Sequence, residues 1–297
     1  MLLSNGCQKS EHRVDAGKPR IAVAIPSQAN ELFGRMAASA KKHQAANPET
    51  YDLILNDGAD LAAQVNLLEL MILQEVNAIV IAPSDTKALV AILKRARQSG
   101  IVVVNIDCPL DAEMLVQSGL NAPFIGPDER AGARRVGEAL AHRLNPGDKV
   151  AIIAGSSSEF RGQQRRLGFE DAVKAARLNI VSAQNGDWGM DKADRVAAAM
   201  LNEHPDLKAI LCANDNMALG AVAAIRASGK TGKVLVAGFD NIGAIGPLLA
   251  SGRVAATADW HADQLAVFGI ESALKMLRGQ AVPAEQLTPV DLVGAAE

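Results

Sequence analysis

The chain has 297 residues, of which 49% are hydrophobic and 21% are charged, as is typical of globular proteins. At roughly 150 residues per domain, this length predicts two domains. The net charge is −3 and no block of like charges is present, which argues against a nucleic-acid-binding surface. No apolar run reaches the roughly 18 residues of a membrane span.

Residues 1–17 are predicted to form a leader or linker, because a short apolar start is followed by a polar stretch. Small residues precede Cys7, and this pattern resembles the lipid-attachment site of bacterial lipoproteins. Only Met1–Leu3 stand at the apolar start, whereas a signal peptide has a basic start and about 7–15 apolar residues. Lipid attachment at Cys7 is therefore one expectation, and an artefact of how the start was defined is the alternative.

Short apolar runs alternate with helical patterns from Arg20 onward. The run Ile21–Ile25 is apolar throughout and ends at Pro26, which is typical of a strand covered on both faces. The alternation predicts right-handed βαβ units and a parallel sheet. Asp85 directly precedes a predicted helix and is predicted to be its N-cap. Strands are predicted at Ile21–Ile25, Tyr51–Leu55, Ala78–Ala82 and Ile101–Ile106, and helices at Glu31–Gln44, Leu61–Gln74 and Thr86–Gln98.

The pattern restarts after Asn121, where Asp128 can cap a helix that runs to about Arg143. Each half contains a strand, a helix that ends at glycine, and a second strand that ends on an aspartate, Asp107 or Asp240. Two similar open sheets are therefore predicted, with a ligand between their strand ends. The further predicted strands are Phe124–Gly126, Lys149–Ala154, Asn179–Ala183, Ala209–Ala213 and Val234–Phe239, and the helices are Phe160–Ala176, Lys192–Glu203 and Asn216–Ser228.

The motifs of nucleotide-binding and hydrolytic enzymes are missing from the sequence. There is no GxGxxG, no GxxxxGK[ST] and no GxSxG, and the stretch 155–158 lacks the lysine of a phosphate-binding loop. The five histidines are scattered without metal-binding spacing. No metal, cofactor or catalytic residue is predicted, and an enzyme on an α/β scaffold is the disfavoured alternative.

Polar side chains at the predicted strand ends suit a neutral ligand rich in hydroxyl groups. Asp107 and Asp240 can each offer two carboxylate oxygens to neighbouring hydroxyls. Asn214 offers a donor and an acceptor, and Arg165 offers a planar fork of donors. The alternative for the two aspartates is to cap a turn, and an arginine on a helix is ordinarily solvated. Asp215 directly precedes a helix and is predicted to be its N-cap.

Aromatic residues form only 3% of the chain, and both tryptophans fall in or beside predicted loops. Trp188 follows Asn185-Gly186-Asp187, and Trp260 follows a predicted strand at Val254–Ala258. A flat ring can pack against the C–H face of a sugar, so both are candidate ligand contacts. Anchoring of a loop is the alternative for each ring.

Three motifs resemble the ribose-type periplasmic sugar-binding proteins. Two of them are Ala213-Asn214-Asp215-Asn216-Met217-Ala218-Leu219-Gly220 and Val236-Ala237-Gly238-Phe239-Asp240. The third, Arg165-Arg166-Leu167-Gly168-Phe169, resembles the arginine-then-Gly-Phe helix start of that family. The resemblance runs from about Arg20 to Leu292, and lactose-repressor-type regulators share the same core.

The resemblance implies a set of ligand contacts and also shows two departures. Relatives usually carry an arginine where this chain has Cys108, and a glutamine where it has Trp260. The loss of a guanidinium and the new ring put D-ribose in doubt, so another monosaccharide or a sugar alcohol is equally expected. With Trp260 added, the candidate contacts are Asn30, Phe33, Asp107, Arg165, Trp188, Asn214, Asp240 and Trp260.

The implied fold is the type I periplasmic binding protein, an α/β fold with two similar doubly wound parallel-sheet lobes joined by a three-segment hinge. The N-terminal lobe is expected at 18–126 plus 260–290, and the C-terminal lobe at 127–259 plus 291–297. The implied function is the substrate-binding protein of an ABC sugar importer. Such a protein closes around a monosaccharide or sugar alcohol and delivers it to a membrane permease.

The resemblance also implies a periplasmic or extracellular location, with a membrane tether if Cys7 carries a lipid. A chemoreceptor or a sensor kinase is a further implied partner, since the sequence does not separate signalling from transport. The main alternative is the sugar-sensing core of a lactose-repressor-type transcription regulator that lacks its DNA-binding domain. Such a regulator needs a helix-turn-helix domain where this sequence has 17 residues.

Overall fold

The computed structural model describes residues 17–294, so Cys7 lies outside the described residues. The strands are β1 (Arg20–Ile25), β2 (Asp52–Asp57), β3 (Ala78–Ile81), β4 (Val102–Ile106), β5 (Phe124–Pro127), β6 (Lys149–Ala154), β7 (Asn179–Asn185), β8 (Ala209–Cys212), β9 (Leu235–Ala237), β10 (Thr257–Asp259), β11 (Glu285–Thr288) and β12 (Asp291–Val293). The helices are α1 (Glu31–Ala46), α2 (Leu61–Leu73), α3 (Val90–Gln98), α4 (Ala112–Ser118), α5 (Glu129–Ala141), α6 (Phe160–Ala175), α7 (Met190–Glu203), α8 (Asp215–Ala227), α9 (Gly246–Ala250) and α10 (Ala262–Leu277).

Six parallel strands form a first sheet in the order β11-β5-β4-β3-β1-β2. Its central strands are apolar, and every residue of 21–25 and 78–81 is fully buried. These continuous apolar runs form strands because helices cover both faces of a parallel sheet. The edge strand β2 is only half-buried, as expected of a strand with one neighbour.

The C-terminal part of the chain completes the first sheet. Helix α10 packs on β3, β4 and α1, and it buries Leu265 and Ile270. Gly269 allows this close approach, since a Cβ there would lie 2.5 Å from Cγ1 of Val80. Strand β11 then pairs in parallel with β5 at the edge of the sheet.

Four parallel strands form a second sheet in the order β7-β6-β8-β9. Its central strands β6 and β8 are buried over 150–154 and 209–212. Helix α5 packs against α6, and α7 packs against α8. A short antiparallel pair, β10 with β12, places Thr257 opposite Val293.

Each parallel sheet is the centre of one lobe. The chain passes between the lobes from β5 to α5, from β10 to α10 and from β11 to β12. The predicted fold class, two doubly wound parallel-sheet lobes joined by three segments, is therefore confirmed. The boundaries 18–126 plus 260–290 and 127–259 plus 291–297 stay a prediction. Below, the N-terminal lobe is the part built on the first sheet, and the C-terminal lobe is the part built on the second.

Helix α3 begins at Val90, four residues after the predicted start at Thr86. The Asp85 carboxylate accepts the backbone N–H groups of Lys87 and Ala88, each at 2.8 Å. Asp85 therefore caps a turn ahead of the helix and not the helix itself, because the aspartate offers the backbone a local partner that competes with helical bonding.

Strand β9 ends at Ala237, two residues before its predicted end at Phe239. The residues that follow it form hydrogen bonds with residues 256–258, where the chain enters β10. The N–H groups of Gly238 and Asp240 donate to the carbonyls of Ala256 and Ala258, each at 2.9 Å. Within residues 17–294, no helix is both long enough and apolar enough to cross a membrane.

Candidate functional site

Two aspartates follow strands of the two different lobes. Asp107 follows β4 and Asp240 lies three residues after β9, and both side chains are buried. Each has a positive φ, 73° for Asp107 and 115° for Asp240. A residue with a Cβ keeps such a backbone only where the surrounding structure holds it. The direction of both carboxylates is therefore set by tight turns at the strand ends.

Arg165 on α6 holds Asp240 and is only 1% exposed. Its Nη1 donates to Oδ1 of Asp240 at 2.9 Å and to the carbonyl of Ala213 at 2.8 Å. Its Nε donates to Oε2 of Glu129 at 2.6 Å. The guanidinium is thus shared between two buried carboxylates, and charge-assisted hydrogen bonds of this kind are stronger than neutral ones.

Arg161 lies one helical turn before Arg165 and reaches the N-terminal lobe. Its Nη2 donates to Oδ2 of Asp107 at 2.5 Å. Its Nε lies 3.1 Å from Oε1 of Glu129, but at an angle that leaves Nε without a hydrogen bond to any described residue. An ion pair between the two lobes therefore joins Asp107 to the charged groups around Arg165.

Trp260 packs inside this group of charges. Its side chain is 1% exposed, and its Nε1 donates to Oδ1 of Asp240 at 3.0 Å. The guanidinium carbon of Arg161 lies 5.8 Å from the centroid of the ring. We call the connected set the central cluster; it consists of Asp107, Glu129, Arg161, Arg165, Asp240 and Trp260.

Trp188 borders the central cluster from the C-terminal lobe. Its φ is 64°, its ring lies directly against Gly155, and its Nε1 donates to Oε2 of Glu159 at 2.9 Å. The guanidinium carbon of Arg165 lies 5.8 Å from the centroid of the ring. The amide of Asn214 donates to the Trp188 carbonyl at 3.3 Å, which places Asn214 next to the same loop.

Asn30 and Phe33 lie at the start of α1, and no hydrogen bond or ring contact within residues 17–294 joins them to the central cluster. Asn30 is the N-cap of α1, and its side chain accepts the N–H of Leu32 at 2.9 Å. Phe33 belongs to the buried apolar core. Beside them, Oε1 of Glu31 accepts the N–H of Gly243 in the C-terminal lobe at 3.0 Å. The start of α1 therefore meets the opposite lobe.

Helix α8 is capped by Asn214, whose side chain accepts the N–H of Met217 at 2.8 Å. The prediction that Asp215 is the N-cap is wrong. The buried Asp215 carboxylate accepts instead from the N–H of Ile242 at 3.0 Å and from the hydroxyl of Thr257 at 2.7 Å. It therefore ties the start of α8 to the segment that follows β9 and to β10.

Burial shifts the pKa values of the aspartates in and beside the central cluster. It raises the pKa of Asp107, an effect that the Arg161 guanidinium opposes. It likewise raises the pKa of Asp240, which Arg165 opposes. Burial, and then the nearby Asp240 charge, raises the pKa of Asp215 to about 8. The arginines therefore favour the ionised forms of Asp107 and Asp240, which act as hydrogen-bond acceptors.

Comparison with known proteins adds the family to this geometry. Residues 21–281 match a family model described as a periplasmic binding protein domain. The chain belongs to that family. The D-ribose/D-allose-binding protein of Pseudomonas aeruginosa is 51% identical over 291 residues, which cover 96% of this chain and 91% of that protein.

Solved structures of ABC transporter solute-binding proteins resemble this periplasmic binding protein along almost its whole length. The protein from Burkholderia multivorans, with an unknown ligand represented as α-D-erythrofuranose, is 53% identical with a TM-score of 0.87, covering 94% of this chain and 100% of the other. The protein from Actinobacillus succinogenes with bound D-allose is 30% identical with a TM-score of 0.89, covering 94% and 98%. These relatives are named as binding proteins of transporters and not as enzymes.

Two residues of the central cluster were not predicted from the sequence of this binding protein, Arg161 and Glu129. Arg161 precedes Arg165 by four residues, and this spacing, which places both on one face of a helix, was an available signal. Glu129 gave a weaker signal, because an acid in the first turn of a helix is explained by the helix dipole alone. Cys108 supplies no guanidinium, but Arg161 donates one to Asp107 from the opposite lobe.

A surface cavity of about 280 Å³ lies away from this site. It is found beside the amino end of β9, whereas Asp240 follows the carboxyl end of the same strand. None of the predicted ligand contacts lines it. Its lining consists of Val222, Ile225, Arg226, Thr231, Gly232, Val234, Leu235, Ser251, Gly252 and Arg253.

Proposed function

We propose that this chain is the substrate-binding protein of an ABC sugar importer, which binds a monosaccharide or sugar alcohol between its lobes and delivers it to a membrane permease. The observation that supports this most directly is the central cluster, where buried aspartates from opposite lobes each bind an arginine beside a tryptophan ring. A sugar offers hydroxyl donors to the carboxylates, hydroxyl acceptors to the guanidinium groups and an apolar C–H face to a ring.

The proposed contacts are the eight predicted residues, with one revision of how the aspartates act. Oδ2 of Asp107 already accepts from Arg161, and Oδ1 of Asp240 accepts from Arg165 and Trp260. Each carboxylate is therefore proposed to accept one ligand hydroxyl through its other oxygen, and not two. The full set is Asn30, Phe33, Asp107, Arg165, Trp188, Asn214, Asp240 and Trp260.

The ligands to test first follow from the names of the relatives. D-Ribose, which the departures at Cys108 and Trp260 put in doubt, stays a candidate because the 51% identical relative is named for D-ribose and D-allose. D-Allose is also supported by its presence in the solved structure from Actinobacillus succinogenes. A sugar alcohol such as ribitol presents similar hydroxyl groups without a ring.

Mechanistically, a ligand that bridges both lobes shifts the open–closed equilibrium toward the closed form, which the permease then recognises. The protein acts by binding alone, without a covalent step. Its proposed location is periplasmic or extracellular, and a membrane tether through Cys7 remains a prediction. A chemoreceptor or a sensor kinase that recognises the same closed form is a further proposed partner.

A thermal-shift screen tests the proposed function. D-Ribose, D-allose, D-glucose and ribitol are added in turn, because a ligand that binds only the folded form must raise the melting temperature. Isothermal titration calorimetry then measures Kd and the stoichiometry, for which we expect one sugar per chain. If no sugar or sugar alcohol raises the melting temperature or gives binding heat, the proposed function is wrong.

The same calorimetry tests the proposed contact at Asp240. A hydrogen bond to a charged group contributes about 1.5–3 kcal/mol, and about 1.4 kcal/mol corresponds to tenfold in Kd. Asp240→Ala should therefore weaken sugar binding at least tenfold, whereas Asp206→Ala, at an exposed aspartate of the same lobe, should leave it unchanged. A loss below threefold in a folded Asp240→Ala protein would assign Asp240 a structural role.

A further inference from the structure

Arg161 joins the two lobes and is not one of the eight proposed ligand contacts. It belongs to α6 of the C-terminal lobe, yet its Nη2 donates to Oδ2 of Asp107 in the N-terminal lobe at 2.5 Å. The Asp107 side chain is 2% exposed and that of Arg161 is 21% exposed, so the ion pair is largely shielded from water. Separation of the lobes at the hinge would break this contact.

Two atoms of the ion pair are buried without a hydrogen bond to any residue in 17–294. They are Oδ1 of Asp107, an acceptor, and Nε of Arg161, a donor. Buried polar atoms are nearly always paired, so these two require an explanation. A hydroxyl group has the chemistry of both missing partners, because it donates one hydrogen bond and accepts others.

The charges around Arg161 favour the form of the Asp107 side chain that accepts hydrogen bonds. Asp107 and Glu129 are both buried carboxylates within 3.1 Å of the guanidinium. The Arg161 charge opposes the rise that burial causes in the pKa of Asp107, so it favours the carboxylate over the carboxylic acid. A carboxylate accepts at both oxygens, which leaves Oδ1 available to a donor.

We propose that Arg161 determines sugar specificity: together with Asp107 it binds one hydroxyl group of the ligand, and by bridging the lobes it stabilises the closed form. The hydroxyl contact rests on the proposed function. The bridging contact does not, because it can be measured without sugar.

Calorimetry with Arg161→Met and Arg161→Lys tests the hydroxyl contact, using D-allose and D-ribose as probes. We expect Arg161→Met to raise Kd at least tenfold. Arg161→Lys should raise it less, since lysine keeps the charge but lacks the planar fork that contains Nε. Arg166→Gln is the matched control, because Arg166 is exposed on the same helix and pairs with Glu170; its Kd should stay within twofold of wild type.

Monodeoxy analogues of the sugar that binds then identify the hydroxyl group. One analogue should lose at least tenfold in affinity for the wild-type protein and less than threefold for Arg161→Met, because the variant has already lost the partner of that hydroxyl. If every analogue loses the same factor in both proteins, Arg161 contacts no hydroxyl and the proposal is overturned.

The bridging contact is tested in sugar-free protein by double electron–electron resonance. Spin labels at Ser84→Cys and Ser157→Cys report the distance between the lobes, since both positions are exposed in loops that follow β3 and β6. Cys7 is replaced by serine. Cys108 is half-buried, and burial raises its thiol pKa to about 12, so it reacts slowly with the label.

Without sugar, the wild type and Arg166→Gln should show a short-distance population that Arg161→Met lacks. Identical distance distributions in wild type and Arg161→Met overturn the bridging role.

A Kd for Arg161→Met within twofold of wild type, or lower, overturns the specificity role. If no sugar binds the wild type, the proposed function fails while the distances still decide the bridging role. Thermal unfolding verifies that Arg161→Met is folded, and Arg161→Lys provides both measurements if it is not.

Discussion

Trp260 is both a packed interior residue and a proposed ligand contact. Its ring is 1% exposed, and its N–H donates to Oδ1 of Asp240, so it orients a carboxylate that we propose as a ligand contact. The same ring lies where the chain enters α10 from β10, at one of the crossings between the lobes. Either role explains its burial, and only affinity and stability measured together separate them.

We predict that Trp260→Ala weakens sugar binding at least fivefold, because it removes a ring face and frees Asp240 from its N–H partner. It should also lower the free energy of unfolding by about 3–5 kcal/mol, the usual cost of truncating a buried Trp. Calorimetry measures the first effect and urea unfolding the second. If stability falls while Kd stays within twofold, Trp260 serves packing only and does not contact ligand.

Asp215 predicts a specific dependence of stability on pH. Its pKa is raised to about 8 in the folded protein, from an ordinary value near 4, so the folded state holds a proton that the unfolded state has released between these values. The free energy of unfolding should therefore fall as pH rises from 5 to 8. Asp215→Asn removes this titration and should become progressively more stable relative to wild type, by up to about 1.4 kcal/mol per pH unit.

Urea unfolding at several pH values between 5 and 8 measures this difference. Asp171→Asn is the control, because Arg130 lowers the pKa of the partly exposed Asp171 and its titration therefore lies below this range. A difference between Asp215→Asn and wild type that does not change with pH would show that Asp215 is ionised throughout.

Single residues differ in how well the sequence predicts them. The places of Asp107 and Asp240 in the central cluster could be predicted, because each follows an apolar run and the carboxyl ends of parallel strands lie at one edge of a sheet. The N-cap of α8 was assigned to Asp215 although Asn214 provides it, since the two are adjacent and both residue types cap helices. The partnership of Arg161 with Asp107 joins residues 54 positions apart in different lobes, and no local pattern contains it.

Among the elements, the loop from β6 to α6 positions one of the two tryptophan rings. Gly155 directly follows β6, and a Cβ added there would lie 2.2 Å from the ring of Trp188. Glycine is therefore required for the ring to lie where it does. The loop and the ring together form the C-terminal-lobe side of the proposed sugar site.

We predict that Gly155→Ala displaces the Trp188 ring and weakens sugar binding about 2- to 10-fold, the range expected when about 0.5–1.5 kcal/mol of ring stacking is lost. Calorimetry gives the affinity, and tryptophan fluorescence should change in the same variant because one of the two tryptophans moves. Gly246→Ala, at a glycine with open space around its Cβ position, is the control and should change neither. An unchanged spectrum in Gly155→Ala would contradict the ring displacement.

Elements with strong periodicity were predicted closely, and short or irregular ones were not. The boundaries of β6 agree with the prediction, and α1 differs only by two residues at its end. Helices α4 and α9 have seven and five residues, which is too short for a periodic pattern to register. Strands β11 and β12 were missed because β11 is mostly exposed and neither carries an apolar run.

At the scale of the whole molecule, two lobes with contacts across their junction predict a measurable change of shape. Saturating sugar should lower the radius of gyration in small-angle scattering, because ligand contacts from both lobes favour the closed form. The decrease should be larger in Arg161→Met, whose sugar-free form lacks one contact between the lobes. An unchanged radius of gyration in both proteins at saturation would contradict closure by a hinge.

The way the chain completes its first sheet has a consequence for the order of folding. Synthesis releases the N-terminal residues first, and domains generally fold in that order. Here the first sheet lacks α10 and β11 until residues 262–288 have emerged, so Val80 and Ile106 lack the helix that packs against them through Gly269. The four strands of the second sheet lie within 149–237 and are available earlier. In a growing chain, the lobe that starts the sequence is thus the later one to gain its full core.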